Sequence, residues 1–241
     1  MEAPILSAAE MNKHFGGLAA VRDISFDVKA GEAVGLMGPN GAGKSTLLNL
    51  IAGEYKPDSG RVNFKGHDIT GLASHKICHL GIARTYQIPQ PFVNLTALQN
   101  TAVAAEYGRG LGKAAAESEA AKILDMVDLL EKKDTFAKDM AAITLKRLEL
   151  ARALASGPEL LLLDEVAAGL TEEETPRILE ILQRVREMGV TYILIEHVMR
   201  VMIKAVDRIM VMDKGAKIAE GPPSQVMEDR KVIEAYLGES V

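Results

Sequence analysis

The run Gly38-Pro39-Asn40-Gly41-Ala42-Gly43-Lys44-Ser45 constrains this chain more than any other feature, because it fits G-x-x-x-x-G-K-[ST] at every position. The apolar stretch Ala33-Val34-Gly35-Leu36-Met37 precedes it, and a helix-like stretch follows from Lys44 to about Ala52, stopping at Gly53. The pattern alone produces chance matches, and the bland alternative is a Gly-rich turn that happens to carry Lys-Ser, but here the strand-before, helix-after context is met. The glycines allow backbone N–H groups to converge on phosphate oxygens without side-chain obstruction. Lys44 then reaches the β- and γ-phosphates, the Ser45 hydroxyl is placed for Mg²⁺, and Thr46 shares the first helical turn, whose N-terminus adds partial positive charge. The reading is a nucleoside triphosphate site.

A strand that feeds such a loop belongs to an α/β fold, and the rest of the chain alternates accordingly. Strands are expected over 5–13, 24–28, 33–37, 61–64 and 82–86, the first two separated by the turn-prone Phe15-Gly16-Gly17. After residue 157 alternation resumes with strand 160–164, helix 172–187, strand 190–195, helix 198–206 and strands 208–212 and 216–220. Between 89 and 157 only helical patterns stand out, such as 114–130 and 146–155. In the first of these, Ile123, Leu124, Val127, Leu129 and Leu130 form an apolar stripe opposite Lys122, Asp125 and Asp128. Residues 1–241 therefore read as one domain, with a core of 1–88 and 158–241 and a helical subdomain over 89–157. Thr171, followed by Glu172, Glu173 and Glu174, suits a helix cap with acids near the dipole; a plain solvated first turn explains them equally.

Several function classes are excluded at the level of composition. A net charge of −5 gives no general attraction to nucleic acid or anionic lipid. The one cysteine, Cys78, cannot form an internal disulfide and fits a reducing compartment. The start Met1-Glu2-Ala3-Pro4-Ile5-Leu6 lacks the basic and apolar regions of a signal peptide, and no apolar run is long enough to span a membrane. Any role at a membrane is expected to pass through a partner, without direct lipid insertion.

Downstream, Leu160-Leu161-Leu162-Leu163-Asp164-Glu165 is an apolar run ending in two acids. A buried strand would leave Asp164 at its carboxyl edge, to hold Mg²⁺ through water, with Glu165 next to orient and deprotonate an attacking water. The bland alternative is that the acids simply begin the next turn.

Taken in order, these motifs resemble the nucleotide-binding subunits of ATP-binding cassette transporters, from about Ile5 to the C-terminus. The resemblance implies a P-loop NTPase core with a mostly parallel sheet, an N-terminal antiparallel β subdomain and an inserted helical subdomain. Ala83-Arg84-Thr85-Tyr86-Gln87 looks like the family's Q-loop, making Gln87 a contact to Mg²⁺ or the attacking water; alone, Gln87 would carry almost no information. Arg147-Leu148-Glu149-Leu150-Ala151-Arg152-Ala153-Leu154 looks like the helix that follows the family signature. Leu163-Asp164-Glu165 looks like Walker B, and Ala168-Gly169-Leu170-Thr171 resembles the D-loop at a dimer interface. His197, in Ile195-Glu196-His197, takes the place of the switch histidine at the γ-phosphate. Without the family it would read as a surface or hydrogen-bonded histidine. Phe15 stands where an aromatic stacks on adenine, with core packing as the alternative, and Val21 flanks the same base. His14, His67, His75 and His79 have no such placement, and the last two lack a third ligand for a metal.

The narrower resemblance is to importer ATPases for branched-chain amino acids. Phe15-Gly16-Gly17-Leu18-Ala19-Ala20-Val21, Gly81-Ile82-Ala83-Arg84-Thr85 and Val232-Ile233-Glu234-Ala235-Tyr236-Leu237-Gly238-Glu239 carry it. It implies ATP and Mg²⁺ as cofactors and a second ATPase subunit as partner, in a hetero- or homodimer. Integral membrane permease subunits complete the assembly, placed so that this chain sits at the cytoplasmic face of the membrane. The apolar Pro91 and Phe92, close to Gln87, mark a docking loop or local packing.

One motif departs from the family. The usual Leu-Ser-Gly-Gly-Gln is missing. An ungapped alignment puts Met140-Ala141-Ala142-Ile143-Thr144 in its place; another takes Ile143-Thr144-Leu145 as a variant opening, with about three residues missing before Lys146. Either way the glycine loop that offers N–H donors to the partner's nucleotide is damaged. An omitted mobile loop, a deletion, and a half-degenerate subunit that binds nucleotide with weak turnover remain open, the first being preferred. Val166 in place of the usual proline after Glu165 is a smaller departure, expected to loosen that turn.

Overall fold

The computed structural model describes residues 3–169 and 171–237. Strands β1 (Leu6–Phe15) and β2 (Leu18–Val28) form a hairpin closed by Gly16-Gly17, with Gly16 at φ 57°. The second strand starts six residues before the expected Ile24, because the polar Arg22-Asp23 is accommodated as an irregularity and does not end the strand. The pairing register shifts between Met11 and Lys13, and Asp23 sits at φ 51° with its N–H donated to the Asn12 side chain. Next come β3 (Ala33–Met37), α1 (Lys44–Ile51), β4 (Ser59–Phe64), β5 (His67–Asp68), α2 (Ser74–Leu80) and β6 (Ile82–Arg84). Helices α3 (Ala97–Arg109), α4 (Lys113–Met126) and α5 (Ala142–Ala155) follow, then β7 (Leu160–Asp164), α6 (Thr175–Glu187) and β8 (Thr191–Ile195). The chain closes with α7 (Met199–Ala205), β9 (Arg208–Asp213), β10 (Ala216–Gly221), α8 (Pro223–Glu228) and α9 (Arg230–Leu237).

Two compact units result, one of Met1–Ile77 with Thr191–Val241 and one of Cys78–Val190. The first contains an antiparallel sheet in the order β2-β1-β4-β5. It also contains the run β10-β9-β3-β8, where β3 lies parallel to both β8 and β9 and β10 is antiparallel at the edge. Every residue of β3 and of β8 is buried, as central parallel strands require. Gly35 in β3 admits helix α7 closely: a Cβ there would stand 2.4 Å from the Met202 sulfur.

In the second unit β6 and β7 pair in parallel. The described residues between 89 and 157 form helices and turns, with an isolated bridge between Thr96 and Phe136. Helix α3 lies outside the two helical patterns expected in this region, although its start is legible: Thr96 and Gln99 form a reciprocal capping box. Buried alanines, including Ala97, Ala105, Ala116, Ala120 and Ala151, let α3 pack on α4 and α5.

Three helix boundaries differ from expectation. The helix expected to Leu130 ends at Met126, because Asp128 turns the backbone to φ 57° and binds Arg177 at 2.6 Å. Helix α5 starts at Ala142, four residues early. Helix α6 starts at Thr175 and not after a Thr171 cap. There the Glu174 carboxylate accepts the Thr171 N–H at 2.9 Å, closing a turn, and a proline in the first helical turn sets the start. No helix among the described residues is long and apolar enough to cross a membrane.

Candidate functional site

The glycine loop lies between β3 and α1 in the first unit, and its glycines are there for two different reasons. Gly38, Gly41 and Gly43 have φ of 146°, 80° and 100°. Gly41 has open space around it, so only its backbone conformation demands glycine. Gly38 and Gly43 are also enclosed: a Cβ would stand 2.0 Å from the Met212 carbonyl oxygen and 2.0 Å from the Ala20 carbonyl oxygen respectively. Lys44 is buried, and its ammonium donates to the Gly38 carbonyl at 2.7 Å and the Pro39 carbonyl at 3.0 Å, so the cation spans the loop. Ala42 is buried and tied by its carbonyl to the Gly215 N–H, while Asn40 and Ser45 are exposed and Pro39 and Thr46 half-buried.

His197 reaches the same edge. Leu36 in β3 pairs with Ile195 in parallel β8, so Gly38 and His197 each stand two residues beyond that rung. His197 is exposed, and its N–H donates to the carboxylate of buried Glu196 at 3.2 Å. Phe15, at the hairpin end, is 44 % exposed, so core packing does not describe it. Its ring meets Tyr55 edge-on at 5.3 Å, with the Lys13 ammonium 5.5 Å from its centroid. Tyr55 had no sequence signal beyond the scarcity of aromatics. Val21, expected to flank the same base, is wholly buried and paired opposite Lys13 in the hairpin.

The acids are in the second unit. Asp164 ends β7, nearly buried, with Arg84 at 3.8 Å and its N–H donated to the Thr85 hydroxyl at 3.1 Å. Glu165 follows at φ 52°, a left-handed conformation costly for a non-glycine residue and frequent at reacting centres. Exposed Gln87 donates its amide to the Glu165 carboxylate at 2.9 Å, so two residues 78 apart in sequence are brought together. Lys146 completes the turn: its ammonium donates to the Glu165 carbonyl at 2.9 Å and the Ala168 carbonyl at 2.8 Å. Nothing in the sequence singled out Lys146 or the Thr85 hydroxyl, since both act through backbone atoms distant in the chain. Val166 is buried and, with Ile143, Leu150, Ile178 and Ile181, lines a cleft of about 250 Å³.

Ile143, Thr144 and Leu145 all lie in the first turn and a half of α5, which runs unbroken through Leu145–Lys146. Thr144 is buried at 2 % exposure, Ile143 and Leu145 are half-buried, and Ala141 caps the helix without a side-chain bond. Leu170, in the expected D-loop, lies outside the described residues, as do Gly238 and Glu239 of the ending. Among the described residues no group of three or more His, Cys, Asp or Glu is placed to hold a metal ion.

The family model of the ABC transporter matches residues 21–168, from the first sheet through the acids of β7. The chain belongs to the ABC transporter family. It is an ATP-binding ATPase of that family, with an α/β fold of the P-loop NTPase kind. A second model, described as branched-chain amino acid ATP-binding cassette transporter, matches residues 216–241. A high-affinity branched-chain amino acid transport ATP-binding protein, BraF of Pseudomonas aeruginosa, is 38 % identical, with all of both chains covered. That alignment runs over 255 positions against the 241 residues of this chain. Among solved structures, the ADP conformation of MJ1267, an ATP-binding cassette of an ABC transporter, superposes with a TM-score of 0.87 at 32 % identity, covering 99 % of this chain and 100 % of that one. A dimeric post-hydrolysis state of the cassette MJ0796 bound to ADP and Pi gives 0.82 at 25 % identity, covering 90 % and 98 %.

Proposed function

We propose that this ABC ATPase drives import of branched-chain or related amino acids, hydrolysing Mg-ATP in a head-to-tail dimer whose closing and reopening is coupled to permease subunits in the membrane. The observation that carries the reading is the Gly38–Ser45 cradle, with two glycines that admit no Cβ and a lysine spanning the loop. Residues 1–88 and 158–241 would form the nucleotide-binding core and 89–157 the helical subdomain. Lys44 and His197 would stabilise charge on the γ-phosphate, Glu165 would take the proton of the attacking water, and Gln87 would hold Glu165 oriented. Phe15, next to Tyr55, would offer its exposed face to adenine. The Ser45 hydroxyl, the Asp164 carboxylate and the Gln87 amide oxygen are hard oxygen donors of the kind Mg²⁺ takes together with water and phosphate. When bound, that ion supplies neutralisation of phosphate charge.

The cargo reading is supported by the similarity of residues 216–241 to the branched-chain model and by the BraF relative. The dimer partner would be a sister ATPase or a second copy. The permease contact would lie near Gln87, where Ile88, Phe92 and Val93 are exposed, placing the chain at the cytoplasmic face of the membrane without nucleic-acid or lipid contacts of its own. A second reading, a cassette that binds nucleotide but completes its neighbour's site poorly, is favoured by the start of α5, where no glycine stands between Ala141 and Ala155 and the Thr144 side chain is buried.

The test is Glu165→Gln, with phosphate release and Mg-ATP binding measured on the chain alone and with permease subunits. Loss of hydrolysis with binding retained is expected. Unchanged steady hydrolysis would remove Glu165 from the chemistry, and absence of any permease stimulation in the unmodified chain would favour the weak-turnover reading.

A further inference from the structure

The amide of Gly38 has a partner that the ATPase mechanism does not use. Strand β3 pairs with β8 as far as Leu36 and with β9 as far as Met37, so the Gly38 N–H is the first beyond the ladder. It donates to the Tyr236 hydroxyl at 2.9 Å, from α9, 198 residues later in the chain. The glycine cannot drift to find another acceptor, since its φ of 146° and the adjacent Met212 carbonyl fix its path. On the other side, α9 is anchored through buried Val232, and the preceding α8 through buried Val226. Tyr236 is 45 % exposed, and the partial burial of its hydroxyl raises that group above its ordinary value. All of these groups belong to one compact unit.

We propose that Tyr236 is a positioning residue that latches the entry of the phosphate loop, so that docking of the C-terminal helix α9 sets nucleotide affinity. This rests on the reading of Gly38–Ser45 as the nucleotide site. It gives the C-terminal segment, which the ABC transporter match over 21–168 does not include, a task in the ATPase itself. Because the contact is one hydroxyl on one amide, the segment acts on the loop's backbone and not on the phosphates directly. Anything that lifts α9, a partner subunit included, would then loosen nucleotide.

Tyr236→Phe keeps the ring and deletes the hydroxyl. Binding of Mg-ATP and Mg-ADP, steady-state hydrolysis, and amide exchange at Gly38 should be measured in this variant, in Tyr236→Ala and in the unmodified chain. Affinity is expected to fall about fivefold in Tyr236→Phe, the equivalent of about 1 kcal/mol for one neutral hydrogen bond. KM should rise with little change in kcat, and the Gly38 amide should exchange faster. Affinity within about twofold of the unmodified chain, or a fall in thermal stability alone, would overturn the latch. An unmodified chain that binds no Mg-ATP would instead overturn the nucleotide reading on which the latch depends.

Discussion

Replacing Lys146 by methionine tests whether the turn after β7 is held by a single ammonium. The methionine keeps the apolar stem and removes two charge-assisted hydrogen bonds, to the Glu165 carbonyl at 2.9 Å and the Ala168 carbonyl at 2.8 Å. Bonds of this class contribute roughly 1.5–3 kcal/mol each when buried. Lys146 is only half-buried, so water replaces part of what is lost and a net loss of about 2 kcal/mol is expected for the pair. For a chain of this length that corresponds to a fall in Tm of roughly 4–8 °C. Function should suffer more selectively. Glu165 sits at φ 52°, a conformation its neighbours must impose, and freeing its carbonyl lets the carboxylate drift from the geometry set by Gln87. Hydrolysis should fall roughly tenfold or more, while Mg-ATP affinity, which the proposed function assigns to the loop after β3, should be unchanged. Urea unfolding and phosphate release on the same preparation measure both. An unfolding free energy within about 0.5 kcal/mol of the unmodified chain, with hydrolysis intact, would refute the argument that this ammonium shapes the turn.

Two further outcomes are expected. Gly43→Ala should lose roughly 3 kcal/mol or more, because backbone strain adds to the clash with the Ala20 carbonyl; Gly41→Ala, with open space, should lose about 1 kcal/mol from strain alone, and urea midpoints that rank them the other way would contradict the two reasons given for glycine. Burial, opposed by the Arg152 ion pair at 2.7 Å, raises the Glu149 carboxyl above the ordinary carboxylate value, so the native state binds the proton more tightly than the unfolded chain. Stability from this group is therefore present at low pH and lost as pH rises through the raised value; thermal melts between pH 4 and 7 should shift in favour of Glu149→Gln relative to the unmodified chain as pH rises, and a parallel pair of curves would count against it.

Local chemistry wrote much of this protein into its sequence. The glycines of the loop are legible because positive φ at Gly41 and Gly43 is a property of single residues, and the strand before and helix after are set by short-range patterns. Asp164 and Glu165 are legible for the same reason, as the polar end of a buried leucine strand. Thr96 and Gln99 carried a start signal for α3 that only the cap geometry made plain. What the sequence could not show are the contacts between groups far apart in the chain. That Val21 is wholly buried follows from the hairpin, which pairs it opposite Lys13 and turns it inward. Gln87 meets Glu165 across 78 residues, Lys146 finds two carbonyls around a turn, and Tyr236 reaches Gly38 from the far end of the chain. Side-chain type and spacing fix φ, capping and which face of a strand is apolar. Tertiary packing alone decides which carbonyl or amide a long side chain will find, because that depends on where distant elements come to rest.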